Sequence, residues 1–501
     1  MRISIISCLL LAGLGQSGLT AAATADDSTR AAADPEVLSE ITLLRSHPVI
    51  SAALAGSGTE QPPGPSNPLS QYETQLPHAT EPDIPAWEKA LLTAYLDKPS
   101  DVHLAKFLAI HHLSNAEIDE GNTAAEGKVL RHRIIASYFL NRAKQSGARE
   151  RWLQRYIRRT QRQVNAVLAE GNVITLDEER AAHRYFRETF HRNEANRHIA
   201  GDVLLEELVR EPGNVYTAFA TTSLNLWVGG EADYDDPTVL YYFLVGSYVS
   251  IHTMTLSKDL EAAWEKNPTA NTRFRMASIL GGFSLLQRRW LAKAHGDAQA
   301  VQLIDDEHRQ WRLVHRSFHA FTLGLPFFEE REHFSEGRLA FEDAVAHCAE
   351  EPVRTCSDRP RFSFNFLGFM LGYVDFLLKS GETDAAAQVL ALREMPQLAD
   401  TYRAWDLGRG PYEHRENNRL AIAALYQNAE PGDDPLHFLM KRRKWGMNTT
   451  TCQVCHQTQS KTWTQQQMDT VQLPPESVAS VRVWPEVSTT WYGAVPDKVR
   501  Q

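Results

Sequence analysis

LRHRIIASYFLNRAKQSGARERWLQRYIRRTQRQVNAVLAEG, residues 130–171, reads as two helices in succession. Leu130, Ile134 and Tyr138 recur at the helical period and the pattern stops at Gly147. Trp152, Leu153, Tyr156, Ile157, Val164 and Leu168 mark a second apolar stripe that stops at Gly171. An apolar stripe three to four residues apart places one face of a helix against a core, and a glycine just past the last periodic residue is a stop signal.

The same grammar extends in both directions, with almost no alternating strand pattern, so the expected fold class is all-α. Order is expected from Ile84, where Trp87, Leu91, Leu92 and Tyr95 fall at helical spacing. Pro99-Ser100-Asp101 then supplies a stop and a new N-cap. Further helices are expected over Ala182–Glu207, Val239–Leu256, Thr272–Ala294, Ala298–Ala320, Phe364–Lys379, Asp384–Leu392 and Glu413–Gln427. The segment Gly372–Leu392, with Gly381-Glu382-Thr383-Asp384-Ala385 between two apolar stretches, resembles the turn of a tetratricopeptide unit. The expected architecture is an irregular helical-repeat array or, as the alternative, a multi-helix bundle.

Residues 83–434 therefore form a helical body. Residues 26–82 before it are rich in Ala, Gly, Pro and Ser around Gln61-Pro62-Pro63-Gly64-Pro65 and read as a low-complexity linker, with room for a short helix over Pro35–Arg45. Residues 1–25 carry Arg2, a mostly apolar run Ile3–Leu14 and the small residues Ala23-Thr24-Ala25, the pattern of a cleaved secretory signal peptide. The apolar stretches Leu240–Met254 and Phe362–Leu378 contain His252, Asn365 and Asp375, groups that lipid would penalise, so no membrane span is expected in the mature chain.

The narrowest chemical signal lies in residues 435–501. Cys452-Gln453-Val454-Cys455-His456 is a C-x-x-C-H pentad, which chance rarely assembles from five Cys and nineteen His in 501 residues. Two thiols at this spacing suit thioether bonds to the vinyl groups of one haem, and the next histidine reaches the iron. The segment resembles the attachment site of c-type cytochromes, and the resemblance covers that site only. It implies one covalent haem c, with His456 as axial iron ligand, in a periplasmic or secreted protein, which agrees with the export pattern. The opposite axial ligand stays open among Met447, Met440, His437, His414 and Met468. Lys441-Arg442-Arg443-Lys444 precedes the pentad and suits pairing with haem propionates.

Cys348 and Cys356, separated by seven residues, are expected to close a short disulfide loop in an oxidising compartment, with a four-thiol zinc site as the rival reading. His308, His315 and His319 share a helical stripe, as do His183, His191, Glu194 and His198. Metal-binding and plain polar-face readings stand side by side for both. Arg149, Arg151, Arg155, Arg158, Arg159 and Arg162 make one helix strongly basic, which suits either an anionic partner or a solvated face.

Hydrophobic residues make up 43% of the chain, enough for a sizeable core. Its net charge of −10 argues against general nucleic-acid binding. No Gly-rich phosphate loop, Gly-x-Ser-x-Gly elbow or His-Glu-x-x-His motif occurs, so nucleotide, serine-hydrolase and zincin chemistry have no support. Three functions remain. The first is monohaem electron transfer, with the body docking a redox partner. The others are a peroxidase-like or small-ligand haem enzyme with an open iron position, and a helical scaffold or redox sensor for a protein partner.

Overall fold

The protein is all-α in the computed structural model, which describes residues 34–56, 84–123, 125–169, 197–231, 235–264, 285, 288–293, 295–314, 331–350, 360–404, 406–428, 440–441, 445 and 449–450. The chain divides into two compact units, Met1–Ile304 and Asp305–Gln501.

The first unit contains α1 (Pro35–Arg45), α2 (Pro48–Gly56), α3 (Ala86–Asp97), α4 (Val102–Ile118) and α5 (Glu126–Gln145). It continues with α6 (Arg151–Ala169), α7 (Arg197–Arg210), α8 (Val215–Glu231) and α9 (Val239–Trp264). The paired stripes of residues 130–171 become α5 and α6. Gly147, in the left-handed region at φ 110, ends α5 where the sequence pattern stops.

At the centre of this unit α5 packs against α4, α6, α7 and α9, while α4 also meets α1 and α3. The buried aliphatic and aromatic side chains Leu108, Leu113, Ile135, Phe139 and Leu140 lie along these contacts. The Asp101 side chain caps α4 by accepting from the backbone N–H groups of His103, at 3.0 Å, and Leu104, at 3.3 Å, as the Pro-Ser-Asp signal anticipates. The short helix expected within the linker segment is α1, held on the body, and the structure adds a second helix there, α2, packed on α3, which the Pro- and Gly-rich composition did not indicate. Val37 and Leu44 are fully buried, Lys106 of α4 donates to Glu40 at 2.9 Å, and Arg155 of α6 pairs with Asp34.

α10 (Ala298–Val314) spans the division between the units. The second unit then contains a 3-10 turn at Arg331–His333, α11 (Phe334–Glu350), α12 (Pro360–Lys379), α13 (Thr383–Ala391), a second 3-10 turn at Leu392–Glu394, α14 (Pro396–Ala404) and α15 (Asp406–Asn428). α12 and α13 form the expected helical hairpin, with Gly381 at φ 86 in its turn, and both pack on α15. Two-residue strands β1 (Met440–Lys441) and β2 (Thr449–Thr450) pair antiparallel.

Among the described residues no helix is long and apolar enough to cross a membrane. Two of the polar groups that counted against spanning, Asp375 and His252, have partners inside the protein. Asp375 of α12 receives both a 2.7 Å and a 2.9 Å hydrogen bond from Arg415 of α15, with both side chains buried. His252 of α9 donates from Nε2 to the Pro212 carbonyl at 2.8 Å.

Candidate functional site

Four helices of the first unit bring Glu88 of α3, His111 and His112 of α4, His132 of α5 and Tyr241 of α9 into one polar cluster. Consecutive residues on a helix point about 100° apart, so His111 and His112 diverge from one backbone and meet again only because Glu88 lies between them. His111 Nε2 is 3.1 Å from Glu88 Oε2, and His112 Nε2 is 3.4 Å from Oε1. Glu88 and His112 are buried, whereas the His111 side chain keeps 19% exposure and forms the solvent edge of the cluster.

Proton inventory gives the network a direction. The Tyr241 hydroxyl donates to Glu88 Oε1 at 2.8 Å, so its oxygen accepts from His112 Nε2–H at 3.0 Å. His112 then has Nδ1 left to accept from His132 Nδ1–H at 2.8 Å. His111 Nε2–H donates to the other carboxylate oxygen, and the Asn115 amide lies 3.1 Å from the same nitrogen. Trp87 closes one side, edge-on to His111 at 4.7 Å, and the fully buried Phe139 stacks parallel to His112 at 6.3 Å.

Burial alone would push the Glu88 carboxyl up. The hydrogen bond and charge of His111, the charge of His112 and the Tyr241 hydroxyl together outweigh it and bring the group down to about 2. Burial dominates at His112 and lowers it to about 3, with the positive charges of His111 and Arg131 adding to the effect and Glu88 opposing it. His132 is pushed well below the usual histidine range, first by burial and then by the charges of His112 and Arg131. At neutral pH the cluster therefore presents an ionised carboxylate to a neutral His112.

A second network lies beside it. Tyr95 and Tyr138 hydroxyls are 3.3 Å apart, Tyr138 also bonds His295, and Phe139 packs between this group and His112. A further grouping, His47, Asp101 and His103, is at the surface, and its carboxylate is already engaged as the α4 cap.

The residues singled out from the sequence have different fates. Cys356, Cys452, Cys455, His456, His437, Met447 and Met468 lie outside the described residues. Cys348 falls on α11 and Met440 on β1. His414 is buried on α15, where burial and the neighbouring Arg415 charge bring it down to about 3. His308 is buried on α10 and His198 lies on α7, while His315, His319, His183, His191 and Glu194 lie outside the described residues.

The basic helix is α6. Arg155 pairs with Asp34 and Arg159 with Glu117 at 3.4 Å, whereas Arg149, which precedes the helix, and Arg151, Arg158 and Arg162 are exposed. Four of the run's six arginines are thus exposed, and the other two serve internal contacts. None of the Glu88, His111, His112, His132 and Tyr241 cluster stood out in the sequence. Its one local signal is the adjacent pair His111-His112, and the other three residues come from 20 to 129 positions away.

Searches found no matching family model, no matching curated protein and no matching solved structure. The fold and the cluster together define a multi-helix protein with a buried His/Glu/Tyr site.

Proposed function

We propose that the protein is an exported, periplasmic monohaem c-type cytochrome-like protein that transfers electrons and uses its helical body to dock a redox partner. The observation that carries this reading is the pentad Cys452-Gln453-Val454-Cys455-His456. Its donor set fits the group. Cys452 and Cys455 would hold the group through two thioethers to its vinyl substituents. The His456 imidazole supplies a neutral nitrogen ligand.

When bound, haem supplies a one-electron couple at its iron. Cys452 and Cys455 would fix the group, His456 would supply one nitrogen ligand, and Lys441, Arg442, Arg443 and Lys444 would compensate propionate charge. The signal-peptide pattern of residues 1–25 supports the compartment in which such attachment occurs. The exposed Arg149, Arg151, Arg158 and Arg162 on and beside α6 offer a positive patch suited to a partner with an acidic face.

Ferric and ferrous absorption spectra of the purified protein test the assignment. Low-spin, six-coordinate iron in both states supports electron transfer. High-spin iron that takes up carbon monoxide or cyanide readily would replace it with a ligand-binding haem enzyme or sensor.

A further inference from the structure

We propose that Glu88, His111 and His112 form a binding site for a divalent transition-metal ion, separate from the haem-attachment segment. Two helices supply the three donors. One ligand atom from each residue falls within 4.8 Å of the others, and the two carboxylate oxygens of Glu88 lie 3.1 Å (Oε2) from His111 Nε2 and 3.4 Å (Oε1) from His112 Nε2. Ligands about 2.0–2.2 Å from a tetrahedral ion are separated by about 3.4 Å, so an ion fits among these atoms with small side-chain adjustments. Two imidazoles with one carboxylate form the donor set used for zinc and for non-haem ferrous iron, with coordination positions left for water.

The surrounding groups are those such a site needs. A ligating histidine is oriented by a hydrogen bond at its other nitrogen, and His112 has His132 Nδ1 at 2.8 Å from its own Nδ1. With the ion on His112 Nε2, the proton moves to Nδ1 and the bond to His132 reverses direction without changing its atoms. Tyr241 holds Glu88 Oε1 at 2.8 Å, which fixes the carboxylate for an ion placed between it and the two rings. His111, at the solvent edge, provides the entry side.

The surface grouping of His47, Asp101 and His103 lacks this support, because Asp101 is committed to capping α4.

The experiment is a zinc titration of chelator-treated full-length protein by calorimetry, alongside Glu88→Gln, His111→Ala and His132→Ala variants. A variant with both Cys452→Ala and Cys455→Ala separates this site from the thiols. The expected result is one saturable zinc equivalent in the wild type and in the double cysteine variant. Removing the His111 ligand should weaken affinity at least about 10-fold, and removing the supporting His132 about 10- to 100-fold. Circular dichroism on His111→Ala, an edge position, shows that the fold survives. No saturable zinc binding in the wild type would overturn the proposal. So would binding unaffected by Glu88→Gln and His111→Ala, or binding lost with the cysteines. The haem assignment stands or falls separately, because zinc binding reads neither thioethers nor His456.

Discussion

Gly127→Ala isolates the close approach of α5 and α7. Gly127 lies in the first turn of α5 and is buried against α7. A Cβ added there would overlap the Asp202 carbonyl oxygen, come within 2.5 Å of the Glu206 backbone nitrogen and sit 3.0 Å from the Glu206 Cα. These are backbone atoms and cannot rotate away. Ordinary contact begins near 3.4 Å, so α5 and α7 must separate locally by roughly 1 Å, which costs about 1–3 kcal/mol or more. Intrinsic helix preference acts the other way and favours alanine by about 0.5–1 kcal/mol. The packing term is larger, so the net change is a loss of stability of roughly 1–2 kcal/mol.

Gly201→Ala on α7 is the control. Its Cβ would meet only the Leu224 Cδ2 at 3.8 Å, and that change should be neutral or stabilising. Urea unfolding followed by tryptophan fluorescence reads both. A Gly127→Ala protein as stable as the wild type would show that α5 and α7 do not approach as described.

Three other substitutions probe different parts of the structure. Asp375→Asn strands the Arg415 guanidinium in the core of the second unit and should cost about 3–5 kcal/mol, whereas Asp375→Leu combined with Arg415→Met should recover most of that loss in a urea midpoint measurement. His252 is held below the usual histidine range by burial, with its hydrogen bond to Pro212 opposing the shift. The unfolded chain binds this proton near pH ~6.5 and the folded chain only at lower pH, so stability is complete above that range and falls as pH drops through it. The contribution is at most about 1.4 kcal/mol per pH unit, and His252→Gln should flatten the slope of urea midpoints between about pH 7.5 and about pH 5.5. Asp101→Ala removes the α4 cap and should lower stability by about 1 kcal/mol, a loss that Asp101→Asn largely avoids in thermal unfolding.

Helices with one wet face were legible from the sequence. α6 and α13 each have a core side and a solvent side, whereas α5 and α12, buried on most sides, were legible from their length and from the glycines that follow them, Gly147 and Gly381. α4 was legible only by its N-cap. Leu104, Ala105, Leu108, Ala109, Ile110, His112, Leu113 and Ala116 are all buried, so contacts on several sides erase the single stripe that periodicity depends on.

The site residues on α4 were hidden for the same reason. His112 occupies what reads as a core position, and Glu88 resembles one charged residue among the 62 acidic ones until α3 folds back on α4. Asp375 was read as a reason to doubt a membrane span, but its partner Arg415 is 40 residues distant and belongs to a helix whose own pattern shows no need for it. The pentad is the reverse case. Its chemistry is written in five consecutive residues and depends on spacing along the chain rather than on a fold that assembles it.

Intact-mass spectrometry of the denatured exported protein tests the haem assignment most directly. The account predicts the mass of the chain after removal of residues 1–25 plus one haem, retained through denaturation and lost when Cys452 and Cys455 are both replaced by alanine. A native chain whose mass equals the polypeptide alone, with Cys452 and Cys455 open to thiol alkylation, would contradict it.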